Sequence, residues 1–133
     1  MARVADVAMT LINMSIRMAK DWHEEMYYMN FVKMRQLLVI AQILFMREYG
    51  TKMFEEPIRK TEQWRIYYYI DGTSFVPKEK GFGLIKEGFD EGKFIRPSYS
   101  RCKMLEEVLE MFGMCDEDIL VLWIAIVTNN PPV

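Results

Sequence analysis

The side chains in this sequence best suited to nucleophilic, acid–base or metal chemistry are one histidine, His23, and two cysteines, Cys102 and Cys115. A zinc protease helix needs two histidines one turn apart, and His23 sits in His-Glu-Glu-Met-Tyr without a second. One imidazole and two separated thiols do not complete a tetrahedral zinc site without carboxylates drawn from elsewhere in the chain. A Cys–His or Ser–His pair has no local signature here. His23 therefore reads as a surface residue at the end of a helix. Gly81, Gly83 and Gly88 resemble a phosphate loop superficially, but a dinucleotide fingerprint requires glycine where Lys86 stands. No Walker motif is present, and a flexible turn is the reading. Carboxylates are plentiful, yet nothing in their spacing puts two of them in a common cleft. The expectation is a protein without catalytic residues, metal site or cofactor.

Recognition chemistry is better represented. Trp64, Arg65, Tyr67, Tyr68 and Tyr69 form a dense aromatic segment with one cation, and Phe75, Val76 and Pro77 follow a short distance on. Trp, Tyr and Arg are the types enriched where proteins bind one another. Interleaved aromatic and basic residues also stack on single-stranded nucleic acid. The plainer reading is that alternate members pack into the core. The 12 methionines suit an adaptable core first and an adaptable binding surface second. Net charge is -2 and the pI about 5.5, so the basic footprint that nucleic-acid affinity depends on is missing. Acidic residues gather at Glu106, Glu107, Glu110, Asp116, Glu117 and Asp118. They read as a solvated helix face followed by the charged start of another helix.

The elements that position these residues fit one domain over 1–133, with 51% hydrophobic and 27% charged residues. The longest apolar run, Ile119 to Val127, has nine residues, far below the ~20 of a membrane span. Asp6 interrupts the apolar N-terminus and no small-residue cleavage site follows, so a secretory signal is rejected. Two cysteines in such a chain read as reduced thiols in the cytoplasm.

Helical spacing of Val4, Val7, Leu11, Met14, Met18 and Trp22 predicts a first helix over 4–22. Asn30 then caps a second helix over 31–49, closed by Gly50. Its apolar residues Phe31, Met34, Leu37, Leu38, Ile40, Ala41, Leu44 and Phe45 cover most of the circumference, so this helix is central. Glycines and prolines break 51–100 into short pieces. There Trp64–Ile70 is either a strand entering a turn at Asp71-Gly72 or a turn or two of helix. Residues 84–91 suggest a short helix and 93–95 an extended piece. Helices return over 101–112 and from Asp116 to Val127, the last apolar on every side and expected to be buried. The fold class expected is mainly α: a compact helical bundle around a central buried helix, with a short irregular or hairpin-containing insertion in the middle.

The segment Met29-Asn30-Phe31-Val32-Lys33-Met34-Arg35-Gln36-Leu37-Leu38-Val39-Ile40-Ala41-Gln42 resembles the opening of the Panacea, or SocA-like, antitoxin domain. Lys33, Gln36, Leu37, Leu38, Ala41 and Gln42 match its pattern, and Arg35 and Val39 depart from it. Asp6 to Met18 looks like the family's first helix, and Tyr49 to Ile58 like its continuation. Leu105 to Gly113, the acidic helix start and Thr128 near Pro131 look like its ending. In the middle, Trp64 leads into Arg65 and the tyrosines instead of a Gly-Pro-Val segment, with Phe75-Val76-Pro77 as a remnant. The resemblance implies a helical scaffold that binds and neutralises a toxin protein, in some members delivering a partner to a protease. A phage-encoded inhibitor of a host defence protein would use the same scaffold. A nucleic-acid-binding regulator is a third reading, which the acidic pI opposes. Trp64, Arg65, Tyr67, Tyr68, Tyr69, Phe75, Val76 and Pro77 are the expected partner-binding residues.

Overall fold

The computed structural model describes residues 2–62, 66–73 and 83–128, with only the backbone of 61, 62, 66 and 67. Among them are four α-helices and one antiparallel hairpin: α1 (Val4–Asp21), α2 (Phe31–Tyr49), β1 (Ile58–Glu62), β2 (Ile66–Ile70), α3 (Tyr99–Phe112) and α4 (Glu117–Val127). Short 3-10 turns occupy Glu25–Tyr27 and Glu91–Lys93. The mainly helical architecture with a small central hairpin is the one expected.

Helix α1 buries Val4, Val7, Ala8, Leu11, Ile12, Ser15, Ile16 and Ala19 along one side. Its N-cap residue, Arg3, contributes no side-chain hydrogen bond. The N–H of Val4 instead donates to both carboxylate oxygens of Glu56, at 2.9 and 3.0 Å. A remote acid thus does the work of a local cap, and its charge suits the positive end of the helix. Trp22, expected on the apolar stripe, is exposed because it lies past the last helical turn, next to His23 at φ 51.

Helix α2 starts where Asn30 Oδ1 accepts the Lys33 N–H at 2.8 Å. It ends where Gly50 adopts a left-handed φ of 69 and donates to Met46. Helices α1, α3 and α4 and strand β2 all pack on it. That explains why it needs no single apolar stripe: Met34, Leu37, Leu38, Val39, Ile40, Ala41 and Phe45 are all buried.

Helix α3 begins at Tyr99, capped by Ser98, and buries Cys102, Met104, Leu105, Val108 and Leu109. Gly113 closes it. A Cβ there would collide with the Leu109 carbonyl and the Tyr27 ring, so the α3–α4 turn packs too tightly for any other residue. Asp116 caps α4 through the Ile119 N–H at 3.0 Å. The expectation that α4 is buried all round fails. Leu120, Ile124 and Ala125 are buried, but Ile119, Leu122 and Ile126 are 52%, 49% and 66% exposed. Helix α4 is an outer layer, resting on α2 and joined to α3 by the Phe112–Trp123 edge contact at 4.9 Å.

The middle of the chain resolves the strand-or-helix alternative. Residues 66–70 form β2, paired antiparallel with β1 in the register Ile58↔Ile70 to Glu62↔Ile66. Asp71-Gly72 follows the hairpin, and Gly72 has φ 86. The helix suggested over 84–91 is absent. Asn13 on α1 accepts the Phe89 N–H at 2.7 Å and donates to its carbonyl at 2.9 Å. Ile85 likewise donates to the Met29 carbonyl at 2.9 Å in a single bridge. These backbone groups are committed to neighbours, which leaves the segment no helical ladder. Lys93 lies in a 3-10 turn, and Phe94 is extended.

Candidate protein-binding site

Strand geometry divides the tyrosines. Successive side chains of a strand point to opposite faces. Tyr68 is half-buried and packs against the core, as does Ile58, while Ile70 belongs to it. Tyr69 is 49% exposed. Across the hairpin Tyr69 faces Arg59, whose guanidinium reaches Asp71 at 2.8 Å. The core reading and the surface reading of this segment each hold for alternate residues.

Helix α2 completes the exposed cluster. Arg35 stands one turn after Phe31, and its guanidinium carbon lies 4.8 Å from that ring. The same group lies 5.0 Å from the ring of Tyr69. Both distances are within the range of cation–π attraction. Burial lowers the Arg35 pKa from its ordinary value, and Tyr69 opposes that shift by charge and by a side-chain hydrogen bond. Arg35 Nε and Gln36 Oε1 are buried and have no hydrogen-bond partner among the described residues. A cation held between a helix aromatic and a strand aromatic locks the hairpin against α2. It leaves Tyr69 and Arg59 facing outward on a rigid base.

Of the expected partner-binding residues, Tyr68 and Tyr69 are placed with their side chains and Tyr67 with its backbone. Trp64, Arg65, Phe75, Val76 and Pro77 lie outside the described residues. Phe31, Arg35 and Arg59 join the site from positions that were not expected. Phe31 and Arg35 are four apart on one helix, the spacing at which side chains meet.

The residues with catalytic potential are occupied or dispersed. The Cys102 thiol is buried and donates to the Pro97 carbonyl at 3.4 Å, and Cys115 is a half-buried free thiol. His23 is exposed. Among the described residues no group of three or more His, Cys, Asp or Glu side chains is placed to hold a metal ion. Gly88 sits tight against Asn13, with 2.8 Å between a built Cβ and Oδ1, so its role is packing on α1. A cavity of about 180 Å³ lies between α1 and the 91–96 segment, lined by Thr10, Asn13, Met14, Arg17, Glu91, Phe94 and Arg96. Small-molecule pockets usually span about 300–1,000 Å³, and here Asn13 is already bonded to Phe89. No helix among the described residues is long and apolar enough to cross a membrane. No protein-family model, curated protein or solved structure matches the chain.

Proposed function

We propose that this chain is a protein-binding module of the antitoxin type, which neutralises one protein target by covering its working surface. The observation that supports this reading is the Phe31–Arg35–Tyr69 stack, which fixes an exposed tyrosine and the neighbouring Arg59 on a helix-backed hairpin. Binding energy at protein interfaces concentrates in such rigid Tyr and Arg side chains, because little conformational entropy is lost when they are engaged. The likeness of 29–42 to the Panacea opening supports the same reading.

The test is co-expression of the tagged chain with the product of the neighbouring gene, followed by capture and affinity measurement. A stoichiometric complex that weakens at least about tenfold in the Tyr69→Ala, Arg59→Glu double variant supports the assignment. Unchanged affinity in a folded double variant removes the hairpin from the binding site. Capture of a nuclease or another defence protein would make the target a defence component and the chain its inhibitor.

A further inference from the structure

We infer that the outer face of α4 is a self-association surface, on which a second copy of this chain packs its own α4 antiparallel about a two-fold axis. Ile119, Leu122 and Ile126 are each about half exposed or more. At 100° per residue they fall within an arc of about 60°, one continuous apolar stripe. Half-buried Val121, Trp123 and Val127 flank it. No charged residue interrupts the helix between Asp118 and its end at Val127.

Charge at the two ends chooses both the occupant and its direction. The first turn is acidic, with Asp116, Glu117 and Asp118. The last turn is marked by Arg47 of α2, whose exposed guanidinium lies 3.5 Å from the Val127 carbonyl. A parallel neighbour would bring two acidic ends together. An antiparallel copy sets each acidic end beside the other copy's Arg47, a pairing of opposite charges. The spacing is self-complementary: Ile119 of one copy lies opposite Ile126 of its partner, with Leu122 beside the axis. That is the isologous contact a two-fold dimer requires. The helix is only about 16 Å long, so the contact is a small one and the dimer is expected to be weak and reversible. The inference rests on α4 and Arg47, and it stands whether or not the hairpin binds a partner.

Sedimentation equilibrium of the full chain, from micromolar to near-millimolar concentration, tests it. The expected result is a reversible monomer–dimer equilibrium that Leu122→Glu weakens at least about tenfold without changing the helical circular dichroism. Arg47→Glu is expected to weaken it too. Combining Arg47→Glu with Asp118→Arg is expected to recover part of the loss, because a cation then stands opposite the new acid while Asp116 and Glu117 stay acidic. A wild-type chain that stays monomeric throughout overturns the inference, and then the stripe is open to a different protein. A dimer indifferent to Leu122→Glu overturns it as well. A dimer weakened by Leu122→Glu but indifferent to Arg47→Glu overturns the antiparallel arrangement.

Discussion

The ammonium of Lys33 donates a 2.6 Å hydrogen bond to the carbonyl of Gly113, joining residues 80 positions apart. The same nitrogen donates to Met26 O at 2.9 Å. One buried cation, 8% exposed, therefore ties the 3-10 turn before α2 and the turn between α3 and α4 to the first turn of α2. Asn30 reinforces the junction by donating to Glu117 at 2.6 Å. Burial lowers the Lys33 pKa below its ordinary 10.5, against the opposing charges of Cys115, Glu117 and Asp116.

Lys33→Met is expected to lower stability at neutral pH by about 2–3 kcal/mol, because two carbonyls lose a charged donor. The pH dependence has a definite sign. Between the lowered folded value and 10.5 the unfolded chain holds more protons than the folded one, so stability rises with pH through that window. Below the window the cost of the buried charge is present in full. Urea unfolding across that range should show the rise in the native chain and lose Lys33's share of it in Lys33→Met.

Glu56→Ala is expected to cost about 1–2 kcal/mol by removing the acceptor for the Val4 N–H at the start of α1. Arg3 has no side chain bonded there to substitute. Thermal unfolding checks this, and Glu56→Gln, which keeps one acceptor oxygen, should recover part of the loss.

Gly50→Ala is expected to cost about 1 kcal/mol through backbone strain alone. The residue has φ 69, and a Cβ there would meet nothing within 4 Å. Gly50→Asn, a type that tolerates left-handed backbone, should cost less in the same denaturant titration.

Tyr68→Ala and Tyr69→Ala should separate stability from recognition. Tyr68 packs against the core, so its removal is expected to cost about 2–4 kcal/mol of stability. Tyr69→Ala is expected to cost about 1 kcal/mol, for the exposed contact with Arg35, while carrying the larger loss of partner affinity. Chemical denaturation and affinity measurement on the same two variants check both halves.

The helices were legible because their signals are local. The Asn30 cap, the Gly50 stop, the Asp116 start and the apolar spacing of Val4 to Ile16 each lie within a few turns of what they control. Strand β1, Ile-Arg-Lys-Thr-Glu, was not legible, because it is mostly polar and is held by pairing with β2. The helix suggested over 84–91 fails for a related reason: Asn13 and Met29, far away in sequence, take the backbone groups a helix would need.

The sequence by itself determined that this is a mainly helical chain around 31–49 and that an aromatic segment interrupts it. Those properties follow from composition, periodicity and caps, which act over a few residues. Only the tertiary structure decided which tyrosine faces outward, because that depends on strand register and on Arg35 reaching Tyr69 across 34 positions. It also decided that α4, apolar on every side, keeps Ile119, Leu122 and Ile126 exposed. Hydrophobicity says which residues gain by leaving water; the packing of the other elements decides which of them find something to leave it for.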